Sequence, residues 1–137
     1  MTQADVQVVE SSYRRCGDNA AFYASLYENL LAADPRIPGM FERTEFPRQH
    51  KLLKHALGLL IVFAKHPNPA LLERIALRHA RGDVDVPPEF YPYFEAALER
   101  ALALHDPAFT PAVAAAWRVT LAPGIAYMQS RYEDGPA

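Results

Sequence analysis

His79 ends the stretch Ile75-Ala76-Leu77-Arg78-His79 and is followed by Gly82 and then Pro87-Pro88; upstream lie Tyr27, Phe41 and Gln49. A neutral imidazole ligates metals through either ring nitrogen. A phenol and a primary amide both donate hydrogen bonds without carrying charge. One histidine on one side of an apolar cleft, with two such donors opposite, suits a haem iron: one axial position is ligated and the other is open to a gas. A lone histidine on an apolar helix face is ordinarily a core or surface residue. The reading therefore rests on the whole set, at these separations.

The elements that must position these residues all read as helices. Val6, Val9 and Tyr13 recur at spacings of three and four over residues 3–14. Asp18 is the expected N-cap of a second helix, with Phe22, Leu26 and Leu30 on one stripe and Tyr23, Tyr27 and Leu31 beside it. Pro35 and Pro38-Gly39 end it in a turn-rich segment closing on Met40-Phe41. A third long helix starts near Pro47 and carries Phe46, Leu53, Leu57, Leu60 and Ile61 on the face of Gln49. Asn68-Pro69 opens the next, with the stripe Leu72, Ile75, Ala76, His79 and a C-terminal stop at Gly82. Pro87-Pro88 opens a helix through Phe90, Tyr91, Phe94, Ala97, Leu98, Ala101 and Leu104. Thr110-Pro111 starts the last, whose interior Pro123 removes one backbone bond near residue 119 and should kink it. The expectation is an all-α fold of six to eight helices forming a single domain over 1–137.

Composition narrows the classes. Half of the 137 residues are hydrophobic and the net charge is −2, which gives no electrostatic footprint for nucleic acid or an anionic membrane. The apolar run Leu59–Ala64 is far short of the roughly 20 residues that span a bilayer. The first residues lack a signal-peptide pattern, and the single cysteine, Cys16, excludes an internal disulfide. A cytoplasmic chain is the expectation. No CxxC, phosphate loop, HExxH or nucleophile elbow occurs, so hydrolase and nucleotide chemistry have no support.

The order of features resembles a globin of the bacterial single-domain type, similar to the haem domain of flavohaemoglobins, over roughly residues 5–132. Leu26 to Ala32, then Asp34-Pro35 and Met40-Phe41, resembles the family's second helix and following corner. Glu45 to Gln49 with Leu53 and Leu57 resembles its distal helix. Ile75 to His79 with Phe90-Tyr91-Pro92 resembles its proximal helix and the start of the next, and Trp117 matches a bulky residue of the last. The sequence departs in three places. The connection from His79 to Tyr91 is about two residues longer, Pro123 lies within the last helix, and Tyr132 stands where relatives often carry a glutamate that holds the proximal tyrosine.

The resemblance implies haem b, with His79 as the iron ligand and Tyr27 and Gln49 as distal donors. Phe41, Leu53, Ile75 and Phe94 would pack on the porphyrin, and Tyr91 would support the proximal ring. Arg43, Arg48 and Arg78 are the nearby cations for the propionates, with Arg43 and Arg78 in the expected set. It further implies reversible dioxygen binding for transport, or nitric oxide dioxygenase turnover fed by a reductase in trans, in a monomer or homodimer. A gas sensor and a haem-free interaction module are the alternatives. His50 and His55, five apart, share no helix face for a metal, although His50 lies beside the distal site. His66 and His105 read as solvated, Arg81, Glu95 and Glu99 as surface charges, and Cys16 as inert.

Overall fold

The computed structural model describes residues 2–80 and 84–134, and every regular element among them is helical. Among the described residues seven α-helices follow one another, with short 3-10 turns before α5, before α6 and after α7: α1 (Gln3–Cys16), α2 (Ala20–Ala33), α3 (Ile37–Met40), α4 (Phe46–Lys65), α5 (Glu73–His79), α6 (Tyr91–His105) and α7 (Pro111–Ser130). Local chemistry sets most boundaries. Thr2 and Asp5 form a reciprocal capping box at α1. Thr110 accepts the Val113 N–H at the start of α7, with Pro111 in the first turn as expected.

Three boundaries differ from the sequence expectation. Asn19, not Asp18, caps α2, its side chain accepting the Ala21 N–H, while Asp18 lies exposed and paired with Lys54. Asn68-Pro69 opens only the 3-10 turn Pro69–Leu71, and α5 begins four residues after Pro69. Pro87-Pro88 likewise leads into a 3-10 turn, Pro88–Phe90, before α6. In both cases proline fixes the first φ, and the tighter turn then re-aims the chain. The stop expected at Gly82 lies outside the described residues. Pro123 is accommodated inside an unbroken α7.

Packing explains the architecture. α2 lies along α6, while α1, α4 and α5 all rest on α7. Phe22, Leu26, Ile37, Leu57, Leu72, Leu102 and Leu121 are almost wholly buried in one hydrophobic cluster. Full burial of such a side chain contributes about 1.5–3 kcal/mol. Gly124 permits the close approach of α4 to α7, because a Cβ there would stand 2.4 Å from Leu60 Cδ2 and 3.3 Å from Leu72 Cδ1.

A buried polar knot ties the first helix to the last. Trp117 Nε1 donates to Ser12 Oγ (2.9 Å), and Ser12 donates to Asp106 Oδ2 (2.6 Å). Arg15 grips the same carboxylate with two N–H groups (2.6 and 2.9 Å), and the Ala108 amide adds a further bond (2.9 Å). Burial raises the Asp106 carboxyl, but the bonds from Arg15, Ser12 and Ala108 outweigh it and leave it below the usual carboxylate range. α4 and α5 thus share a firm support.

Candidate functional site

Tyr27 is positioned by the packing of α2. Phe22, Leu26 and Leu30 anchor that helix in the core, and Tyr27 emerges one position on, only 5 % exposed, toward α4. Its ring lies within an aromatic box. Phe41 and Phe46 meet it edge-on, with centroids 5.6 and 5.5 Å away. His50 stacks on it at 5.6 Å and 12° and also stacks on Tyr23 at 5.8 Å. These separations are those of favourable aromatic pairs.

Gln49, in the first turn of α4, donates from Nε2 to the Tyr27 hydroxyl at 3.0 Å. Pro47 lies two residues before it in the same first turn, where a missing N–H costs no helical bond. Burial pushes the Tyr27 phenol up to about 12, with the Gln49 bond offsetting only part of that effect. The phenol therefore stays neutral at physiological pH. Because its oxygen accepts from Gln49, its own proton remains for donation, and an accepted bond polarises the O–H it feeds. Tyr27, Phe41 and Gln49 are thus brought together, with Leu53 one turn beyond Gln49 on α4 and half-buried.

On the other side, His79 is the last residue of α5, half-buried, with Nδ1 shielded from solvent. Leu72 and Ala76 fix the buried face of α5, and Ile75 and His79 lie beside it, half-buried. Tyr91 opens α6 and is buried, which lifts its phenol well above the ordinary range. Phe94 follows it, half-buried.

α4 and α5 both rest on α7 yet scarcely touch each other, and α5 has little direct contact with α6. Phe41, Phe46, Leu53, Ile75, Val86 and Phe94 pack on the core but stay partly exposed. Apolar side chains left partly exposed beside α4, α5 and α6, with one imidazole on α5 and a polarised phenol on α2, are the residue types a flat apolar group carrying a metal needs. Among the described residues no cluster of three or more His, Cys, Asp or Glu offers another metal site. Arg43, Arg48 and Arg78 all lie exposed, as cations for the acidic edge of such a group must.

Several residues behave otherwise than the sequence suggested. His105 is not simply solvated: Nε2 lies 2.7 Å from Ser25 Oγ, tying α6 to α2. His50 belongs to the aromatic box, a role its spacing from His55 did not suggest. The Ser12, Arg15 and Asp106 knot escaped the sequence reading because its members lie more than 90 residues apart. Cys16, by contrast, agrees with its reading as inert: it is fully buried, and burial pushes its thiol up to about 11, which makes it a poor nucleophile.

Comparison with known proteins agrees with this arrangement. The globin family model matches residues 24–128. The chain is similar to a crystal structure from Pseudomonas aeruginosa PAO1, described as structurally highly homologous to a human haemoglobin. The two are 30% identical with a TM-score of 0.90, and the match covers 94% of this chain and 98% of that one. A search of curated proteins finds no match. The helix order, the separation between α4 and α5 and the family match agree: the chain belongs to the globin family.

Proposed function

We propose that this globin holds haem b through His79 and binds dioxygen reversibly, with Tyr27 as the direct distal donor and Gln49 acting through it. The observation that carries the reading is the Gln49–Tyr27 hydrogen bond, which orients a buried, neutral phenol with its proton still to give. Haem held there supplies an iron that takes a diatomic gas and, when a separate reductase re-reduces it, turns nitric oxide and dioxygen into nitrate. The neutral Tyr27 hydroxyl would favour dioxygen, which accepts a hydrogen bond, over carbon monoxide, which accepts one poorly. Phe41 and Leu53 exclude water from that side, which protects the bound gas.

His79 is the last residue of α5, so it stands at the free end of that helix, where it would ligate the group. Ile75 and Phe94 pack on the proximal side, with Tyr91 buried nearby in sequence as a support. Arg43 and Arg78 pair with the propionates. No helix among the described residues is long and apolar enough to cross a membrane. We place the protein in the cytoplasm as a single globin domain acting as a monomer or homodimer. The test is haem titration of the purified protein, followed by stopped-flow dioxygen release from wild type and Tyr27→Phe. A haem-replete sample with slow release, accelerated in the variant, supports the reading. A chain that stays colourless after haem supplementation overturns it and favours a haem-free interaction module.

A further inference from the structure

Residues 84–86 lie back over the end of α5. The amides of Val84, Asp85 and Val86 donate to the carbonyls of Arg78, Ala80 and His79 at 3.0, 3.2 and 2.8 Å. These are the carbonyls a helix C-terminus leaves without intrahelical partners. To make this return, Asp85 adopts φ 62, the left-handed region that a non-glycine residue enters only at a cost. Something must hold it there. Tyr132, in the 3-10 turn Tyr132–Asp134 that follows α7, donates its hydroxyl to Asp85 Oδ1. A turn earlier in α7, Gln129 donates to the Pro88 carbonyl at 3.1 Å and fixes the far end of the same segment.

The donor side is itself braced. Arg131 bonds Asp134 (2.7 Å) and the Tyr127 hydroxyl (2.7 Å), and Tyr127 stacks on Phe63 of α4 at 5.7 Å. A braced element therefore meets a strained one at the bond between the Tyr132 hydroxyl and the Asp85 carboxylate.

We propose that the Tyr132–Asp85 pair is a clamp through which the turn after α7 holds the end of α5 and so sets the orientation of His79. Tyr132 is a positioning residue for that histidine, and this rests on the proposed role of His79 as iron ligand. The pair reaches His79 through one further bond, because Asp85 is flanked by Val86, whose N–H holds the His79 carbonyl.

The test is a double-mutant cycle of Tyr132→Phe and Asp85→Gly. In the haem-free protein, amide hydrogen exchange is followed at Val84 and Val86, and the His79 ring resonances are recorded. Each single variant should speed exchange by about three- to tenfold and shift the His79 ring signals, and the double variant should do no more than either alone. Glycine removes the strain at residue 85. A merely structural role therefore predicts that Asp85→Gly leaves exchange unchanged or slower. In the haem-supplemented protein, all three variants should shift the iron–histidine stretching band of the resonance Raman spectrum. Unchanged exchange, additive effects or an unmoved band would overturn the clamp. If the wild type takes up no haem, the functional reading fails, while the exchange and ring signals still decide the clamp.

Discussion

Tyr27→Phe isolates one hydroxyl. The substitution keeps the ring, so the contacts with Phe41, Phe46 and His50 at 5.5–5.6 Å survive. What is lost is a buried donor whose oxygen already accepts from Gln49 at 3.0 Å. A hydrogen bond to a partner carrying charge contributes about 1.5–3 kcal/mol. At about 1.4 kcal/mol per factor of ten, dioxygen release should quicken by roughly ten- to a hundredfold. The lower end applies if the freed Gln49 amide turns into the pocket and takes over part of the donation. A Tyr27→Phe, Gln49→Leu double variant closes that route and should reach the upper end. Stopped-flow displacement of dioxygen by carbon monoxide measures the rate directly. An unchanged rate in both variants would refute the donor role of Tyr27 and pass it to another group, such as the His50 imidazole of the same aromatic box.

Gln49→Leu alone should speed release less than Tyr27→Phe, since Gln49 acts by polarising the phenol; a larger effect in the same assay would reverse the order of the two donors. Because the Tyr27 phenol is raised to about 12, the release rate should stay flat past pH 10, the ordinary phenol value, and a step there would contradict the burial argument. Ser12→Ala should cost about 1–3 kcal/mol in urea unfolding, because it leaves the buried Trp117 N–H without its acceptor. The Asp106 carboxyl titrates lower in the folded than in the unfolded chain, so its contribution is present above about pH 4 and is lost as pH falls through the depressed folded value. Asp106→Asn should therefore flatten the acid limb of the stability profile. Gly124→Ala should destabilise by about 1–3 kcal/mol, since its Cβ would stand 2.4 Å from Leu60 Cδ2, and thermal unfolding checks it.

What could be read from the sequence was what repeats locally. Helical periodicity exposed the buried stripes Phe22–Leu26–Leu30 and Leu57–Leu60–Ile61, and Thr110-Pro111 marked the start of α7. The three-residue 3-10 turns before α5 and α6 were invisible because proline announces a helical first turn of either kind. Asp18 and Asn19 are equally good caps by type, and only backbone geometry chooses between them. Tyr27 and Gln49 emerged as a pair from the resemblance, yet their mutual bond, with the amide donating to the phenol oxygen, is a property of how α2 and α4 meet. The knot of Ser12, Arg15, Asp106 and Trp117 and the Tyr132–Asp85 bond join distant segments, and no local pattern encodes such pairs.

The central claim is ligation by His79, and one haem titration monitored in the violet absorption band tests it most directly. Wild type should bind haem stoichiometrically, His79→Gly should lose the band, and added imidazole should restore it by filling the space the side chain left. Full haem content and an unaltered spectrum in His79→Gly without imidazole would contradict the claim.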